Sequence, residues 1–212
     1  MMPSGDSAAL RPAETCSPDE AGALIALPDR DRGLTRLLAA CPVRLDAEQV
    51  TTIAQEIQSS PPDALSAQRL ATLIAALASP VFRDVLLIQW ATDEETGSRA
   101  CALQLRCEAG DPAEMPAHLV RVLLGHGDEP EPRRLAAALA ACRFAAAHAP
   151  AAESAAAALT ACAWLSWAVG SSADARGYLA SAASADAGRP RVRVIDALVH
   201  ARMVPHWRGP QP

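Results

Sequence analysis

The stretch Ala157–Trp207 reads AALTACAWLSWAVGSSADARGYLASAASADAGRPRVRVIDALVHARMVPHW. Its apolar residues recur at helical spacing, and Gly and Pro interrupt the pattern. Leu159, Ala163 and Trp167 stand at i, i+4 and i+8, so a helix would place them on one face. Gly170 suits the left-handed residue that ends such a helix. The stretch therefore predicts three short helices and an all-α fold.

The second and third of these helices have their own boundary signals. Ser171 or Ser172 is positioned to cap the second helix, and Gly188 is positioned to close it. Pro190 suits the first turn of the third helix, and Pro205 ends it. In the second helix, the predicted apolar side consists of Ala175, Tyr178 and Ala182, with Leu179 and Ala183 beside them. In the third helix, the predicted stripe consists of Ile195, Leu198, Val199 and Arg202.

The first two helices have the residue order of a helical hairpin. A Trp and Gly170 are followed by Ala175, Tyr178 and Ala182, which is close to the tetratricopeptide pattern. Small residues let two helices approach closely, and the aromatic ring fills the gap between hairpins. Only one good copy is present, whereas a free-standing solenoid needs about three. We therefore predict a compact Ala-rich helical domain with one tetratricopeptide-like hairpin at the C-terminus, in preference to a repeat array or a bundle without the hairpin.

The composition favours helices over strands. The chain has 212 residues, which is enough for one ordinary domain or two small ones. Half of the residues are hydrophobic, but 49 are Ala, which is the best helix former and buries little area. Residues that favour strands are sparse. The core is therefore expected to be thinner than the hydrophobic fraction suggests.

The charged residues argue against nucleic-acid binding. The chain has 19 Arg, no Lys and a net charge of −5, and the absence of Lys is typical of a GC-rich genome. A domain that binds nucleic acid usually carries a basic stripe. The Arg residues cluster only at Arg133–Arg134 and within residues 189–193, where they alternate with other residues. A nucleic-acid partner is therefore not expected.

The six Cys residues show no metal-binding spacing. No two of them form a C-x-x-C pair, and Cys101 and Cys107 are six residues apart. Cys142 and Cys162 fall within apolar helical patterns and are expected to be small core residues. The first residues lack the pattern of a signal peptide, and no apolar run has the length of a membrane span. We expect a cytoplasmic protein with free thiols, no metal or other cofactor and no membrane contact.

The ends of the chain differ in composition from its middle. Residues 1–20 are predicted to be a disordered tail, residues 21–207 a single helical domain and residues 208–212 a frayed tail. A subdivision of the domain near residues 110–132 is an alternative. Residues 21–28 suit either a strand or a helical turn. Residues 100–107 alternate like a strand, but their Ala content favours the helix that we predict, and residues 92–97 are expected to form an acidic connector.

Capping residues mark the helices in the middle of the chain. Asp46 is the expected cap of one helix, with Gln49 at its third position and Leu45 against Val50. Ser79 precedes a Pro that suits the first position of another helix. Together these signals predict helices over residues 31–41, 46–58, 66–77, 80–90, 116–124 and 133–148.

Two groups of charged side chains are candidates for a site. Arg83 and Asp84 are adjacent in an apolar helix. One interpretation is a charged pair at a binding site. The favoured interpretation is a partly exposed ion pair within the chain, which contributes about 0 to 1 kcal/mol to folding stability. His126 lies beside Asp128 and Glu129 in a loop rich in Gly and Pro, where it would suit a metal ligand or a general base. A lone His in such a loop is more often simply solvated.

These blocks resemble the actinobacterial domain-of-unknown-function family 4192. The resemblance covers roughly residues 66–207 and is carried by Ser79–Asp84, by Gly125–Leu135 and above all by the segment from Ala163 to Trp207. Family members usually have an additional α/β part ahead of the helical part, and a different turn stands here at residues 186–190. The chain is thus identified as a shortened or divergent member. The resemblance implies a helical fold and a source of high GC content, and it implies no particular activity.

The sequence leaves three functions open. The first is an adaptor that binds an unknown protein, with Trp164, Trp167, Tyr178 and Trp207 as candidate contacts together with Arg83 and Asp84. It requires at least one of these aromatic side chains to be exposed. The second is a structural subunit of a larger assembly, including a self-associating one. The third is an enzyme, which would require Arg83, Asp84, His126 and Asp128 to converge in one pocket.

Overall fold

The computed structural model describes residues 45–110, 116–186, 195, 197–199 and 203–209. Eight α-helices have both ends within these ranges, which contain no β-strand, so the all-α prediction is confirmed. Ile195 and residues 197–199 are also helical, and short 3-10 turns lie at Pro62–Ala64 and His206–Arg208. The eight helices are α1 Ala47–Ser59, α2 Ala67–Ala78, α3 Pro80–Ala91, α4 Glu94–Glu108, α5 Ala117–Leu123, α6 Pro132–His148, α7 Ala152–Ala168 and α8 Ser172–Ala185.

Some expectations concern residues outside the described ranges. They are the tail over residues 1–20, the segment 21–28, the helix over residues 31–41 and the roles of Gly188, Pro190 and Arg202. Residues 210–212 of the expected frayed tail also lie outside. Arg208 and Gly209 are described, and they continue the turn that begins at His206. The side chain of Trp207 in this turn is buried, and the frayed tail stays a prediction.

The predicted caps of α1 and α2 are present. The carboxylate of Asp46 accepts a hydrogen bond from the Gln49 N–H at 2.7 Å, and the Gln49 side chain accepts one from the Asp46 N–H at 3.4 Å. Ser66 accepts a hydrogen bond from the Arg69 N–H at 3.2 Å. These bonds satisfy N–H groups that have no partner inside the helix, so the sequence sets the starts of both helices directly.

The expected connector over residues 92–97 is instead the start of α4. Asp93 caps this helix, and its carboxylate accepts a hydrogen bond from the Thr96 N–H at 2.7 Å. Glu94 and Glu95 occupy the first turn, where negative charge is favourable because the helix dipole is positive there. The helix continues through residues 100–107, so the prediction of a helix rather than a strand is confirmed at that segment.

Helix α7 lies at the centre of the described fold. Every residue from Ala155 to Ala168 is buried, and α2, α3, α6 and α8 all pack against this helix. The sequence predicted one buried face, whereas all sides are covered. Ala side chains make this possible, because they keep the helix narrow enough for neighbours to approach from every direction.

The turn from α7 to α8 lies at the predicted residues, but the predicted capping hydrogen bond of α8 is not formed. Gly170 has a φ of +91°, the left-handed conformation expected at the end of a helix. Ser171 occupies the cap of α8, but its hydroxyl donates to the Asp174 carboxylate at 2.7 Å and makes no hydrogen bond to the helix backbone. The tight connection lays α8 directly along α7.

The buried side chains of the described residues form a single hydrophobic cluster that extends from Val50 in α1 to Trp207. Trp90 of α3 shows how α1 is attached, since its indole N–H donates to the Ala54 carbonyl at 3.3 Å. Within the described ranges no single helix is long and apolar enough to cross a membrane. Helices α2 and α3 reach that length and composition only in combination, and their axes are bent by 106°.

Replacing a small residue of α7 is expected to separate the helices around it. In Ala161→Leu, the larger side chain has no free space, and overpacking of this kind costs about 1–3 kcal/mol. Urea unfolding followed by circular dichroism would measure the loss. Ala136→Leu is the matched control, because Ala136 is exposed on α6 and the change there should stay within about 0.5 kcal/mol. Equal effects of the two changes would contradict the central position of α7.

Candidate functional site

The aromatic residues selected from the sequence are core residues. Trp164, Trp167, Tyr178 and Trp207 are all buried, so the requirement for an exposed aromatic side chain is not met. The physical reason is that α7 is covered on every side, which encloses both of its tryptophans. These rings are not available to a partner in this conformation.

The three tryptophans join α5, α7 and the C-terminal segment. The indole N–H of Trp164 donates to the Leu123 carbonyl at 2.9 Å, and that of Trp167 donates to the Met203 carbonyl at 2.6 Å. Trp207 joins the C-terminal segment to the end of α7, because its indole N–H donates to the Ala168 carbonyl at 3.0 Å. The rings also touch one another, with centroids 6.2 Å and 6.5 Å apart. The role of these residues is therefore to fix the C-terminal segment against α5 and α7.

Gly125 lies where this segment comes closest to the end of α5. The His206 N–H donates to the Gly125 carbonyl at 2.7 Å. Gly125 has a φ of +82°, and a Cβ added there would lie 2.7 Å from a ring carbon of Trp167 and 2.9 Å from the Pro205 Cα. Only glycine fits this position, because any side chain would push the two backbones apart.

Gly125→Ala is expected to destabilise the chain more than Gly127→Ala. Both residues have positive φ, so both changes carry a similar backbone cost. A Cβ at Gly127 would meet nothing within 4 Å, whereas one at Gly125 would overlap Trp167 and Pro205, which adds about 1–3 kcal/mol. The free energies of unfolding of the two variants, measured in urea, would test this. Equal losses would contradict the close approach at Gly125.

Exposed large hydrophobic side chains occur on both of the segments that meet at this junction. Of the described residues, the large hydrophobic side chains that are exposed are those of Val120 (42%), Leu124 (37%), Met203 (48%) and Val204 (58%). Val120 and Leu124 are four residues apart on α5 and its end, so they lie on the same side. Leu124 and Val204 directly precede Gly125 and Pro205, the two residues whose backbones meet. We call these four residues the apolar patch.

A cleft of about 490 Å³ is lined by other residues of α5, including Leu119 and Val122, and by none of the four patch residues. Its walls come from the end of α3, the start of α4, helix α5 and the loop from α5 to α6. Most of the ionisable groups that line it are acidic, and we call it the acidic cleft. Its charged and titratable residues are Asp93, Asp128, Glu129 and Glu131 together with Arg121, His118 and His126.

His126 connects the cleft with the patch. Its ring stacks on that of His206, with the centroids 4.2 Å apart. Next to this stack, Arg208 forms an ion pair with Glu129 at 3.4 Å. Partial burial of the ring, together with the positive charges of His206 and Arg121, lowers the pKa of His126. The imidazole is therefore held neutral at pH values where an exposed His has begun to protonate.

This stack is expected to make the folded state sensitive to acid. The pKa of His126 is lower in the folded chain than the value of about 6.5 in the unfolded chain. Its contribution to stability is therefore fully present above that pH and is lost as the pH falls through and below it. In His126→Gln, the free energy of unfolding should depend less on pH between about 8 and about 5 than in the native chain.

Urea unfolding across that pH range would measure the difference. His118→Gln provides a control, because His118 lines the same cleft but is exposed. Its profile should follow that of the native chain. A native profile unchanged by His126→Gln would show that the stack does not contribute to the acid sensitivity.

Arg83 and Asp84 lie apart from this region. The Arg83 Nε is 3.7 Å from the Asp84 Oδ1, with the guanidinium buried and the carboxylate about half exposed. They are in the first turns of α3, whereas the cleft begins at Ala91, about 10 Å further along the helix axis. His126 and Asp128 do line the cleft. The four candidates for an enzyme site are therefore not brought together in one pocket.

Two other features of the described chain do not add to this site: its metal-ligating side chains and a second surface groove. No group of three His, Cys, Asp or Glu side chains is arranged to hold a metal ion within the described part of the chain. A shallow groove of about 450 Å³ lies between the 3-10 turn at Pro62 and α6, where Phe144 and His148 line it. The described cysteines Cys101, Cys107, Cys142 and Cys162 are not joined by disulfides, and burial together with a hydrogen bond to Cys162 raises the pKa of Cys142.

No protein-family model matches the chain, and no curated protein or solved structure is significantly similar to it. The apolar patch was missed by sequence analysis, because the two segments that carry it meet only through contacts between distant parts of the chain, such as the hydrogen bond from the His206 N–H to the Gly125 carbonyl. The exposed pair on α5 was the available signal, since Leu119 and Val122 already account for the buried side of that helix.

Proposed function

We propose that this chain is a helical adaptor, without catalytic activity of its own, that binds another protein through the apolar patch. The observation that carries the proposal is the grouping of the exposed large hydrophobic side chains. All four that occur among the described residues belong to two segments joined by a backbone hydrogen bond. Scattered exposed hydrophobic residues are ordinary on protein surfaces, whereas their grouping on neighbouring segments is what an interaction site would require.

The rigid support of the patch favours binding. The tryptophan hydrogen bonds hold Leu123 and Met203 from below, and Gly125 brings the two segments together. A partner would therefore not have to order these backbones when it binds, and less conformational entropy is lost. This is consistent with an adaptor whose aromatic residues stabilise the binding surface from below and do not touch the partner.

Val204→Asp is expected to abolish partner binding while leaving the fold intact. Val204 is the most exposed residue of the patch, so the change should cost little folding stability, whereas a buried unpaired carboxylate would destabilise the complex. The measurement is a pull-down with the tagged full chain from its native extract, with the captured protein identified by mass spectrometry and its binding confirmed with the purified partner. Trp164→Ala and Trp207→Ala would be unsuitable, because they remove core residues.

Ala180→Asp provides the matched control. Ala180 is exposed on α8, away from the patch, so a carboxylate there should leave binding unchanged. A partner that both variants retain would contradict the adaptor proposal. Light scattering of the native chain distinguishes the alternative of a structural subunit. A dimer that Val204→Asp converts to a monomer would identify the partner as a second copy of this chain.

We also propose the finer identity that the sequence suggested. Membership of family 4192 is supported by its sequence blocks, of which Ser79–Asp84 starts α3 and the Trp-rich block forms most of α7. A tetratricopeptide-like hairpin of α7 and α8 is supported by their tight connection and by the buried ring of Tyr178. A cytoplasmic location is supported by the described cysteines, none of which is in a disulfide.

A further inference from the structure

We propose that the partner binds as a basic segment with large apolar side chains, which cover the apolar patch while its Arg or Lys side chains enter the acidic cleft. This proposal rests on the proposed function and adds the chemistry of the partner. It follows from the apolar patch and the acidic cleft, which both include residues of α5 and differ in polarity.

The two surfaces lie on different sides of α5. Leu119 and Val122 line the cleft, whereas Val120 and Leu124 belong to the patch. The stacked rings of His126 and His206 connect the loop of the cleft with the C-terminal segment of the patch. A segment that crosses α5 would therefore contact both surfaces without any rearrangement of the chain.

The carboxylates in the cleft are only partly neutralised by the chain itself. Glu129 is paired with Arg208, and Asp93 is engaged in capping α4. Asp128 and Glu131 are exposed, and neither has an ion-pair partner within the described ranges. These two carboxylates are available to a cationic side chain.

The basic groups near the cleft do not cancel this charge. Arg134 donates a hydrogen bond to the Thr92 carbonyl, and Arg208 is already paired with Glu129. Arg121 is the one guanidinium among the described residues that line the cleft, against the two unpaired carboxylates of Asp128 and Glu131. The acidic cleft would therefore attract a basic segment and repel an acidic one, which gives the patch a selectivity that apolar contact alone does not provide.

The size of the cleft suits side chains of this type. Its volume of about 490 Å³ lies within the range of about 300–1,000 Å³ that is usual for ligand sites. Asp128 and Glu131 are exposed at the cleft, so the charged end of an Arg or Lys side chain can reach them while its methylene groups stay in contact with the surface. A guanidinium can also bond a carboxylate with two parallel hydrogen bonds, which fixes its direction.

A random peptide library displayed on phage is the probe. It would be selected on the immobilised full chain and, in parallel, on the folded Val204→Asp variant. We expect the peptides that are enriched only on the native chain to combine large apolar residues with Arg or Lys. Peptides of that class should bind more tightly at about 0.01 M than at about 0.15 M ionic strength, because salt screens the charges in the cleft.

The charges of the cleft are tested with the selected peptide in a fluorescence anisotropy titration. The double variant Asp128→Asn, Glu131→Gln should weaken binding about fivefold at about 0.15 M ionic strength, as expected for the loss of two exposed ion pairs. Glu48→Gln is the control, since Glu48 is an exposed acid in the first turn of α1, and it should bind like the native chain.

The outcomes separate this inference from the proposed function. Peptides that depend on Val204 but are neutral or acidic, or that bind the double variant unchanged, would overturn the basic partner and leave the adaptor proposal standing. Failure to enrich any peptide on the native chain over Val204→Asp would overturn this inference as well. The adaptor proposal would then be decided by the pull-down and the light scattering alone.

Discussion

The close packing around α7 is the constraint on which the rest of the described structure depends. Helices α2, α3, α6 and α8 all touch it, and its two tryptophans reach α5 and the C-terminal segment. So many neighbours fit around one helix only if that helix is narrow, and the Ala residues between Ala155 and Ala168 make it so. The Ala-rich composition gives each core side chain little apolar area to bury. The short distances between helices compensate for this, because closely packed helices make many dispersion contacts.

The local features of the fold could be predicted from the sequence, including the presence and the end of the central helix, whereas its burial on all sides could not. Asp46 with Gln49, Ser66 and Gly170 act within a few residues of themselves, so their roles follow from spacing alone. Analysis by periodicity assumes that a helix has one buried face. Helix α7 has no polar face, so Leu159, Ala163 and Trp167 were assigned to one side when all sides are buried. The start of α4 at Asp93 was predictable, because an Asp followed by two Glu is a typical beginning of a helix.

The site depended on contacts that no local pattern contains. A set of Trp and Tyr residues in a sequence indicates either a binding surface or a core. Here Trp164, Trp167 and Trp207 are core residues, because their indole N–H groups donate to backbone carbonyls inside the fold. The residues that are exposed, Val204 above all, are unremarkable by type. The two segments that carry them meet only because the His206 N–H reaches the Gly125 carbonyl across a large separation in sequence.

The simple composition of α7 has a consequence for how the chain tolerates change. Runs such as AESAAAALTACA are usually associated with linkers, in which most substitutions are neutral. In this chain the reverse holds, because each of the buried Ala residues limits the distance to a neighbouring helix. A saturation scan of substitutions would find the most repetitive segment of the sequence to be among the least variable, and the diverse, charged surfaces of α1 and α4 among the most permissive.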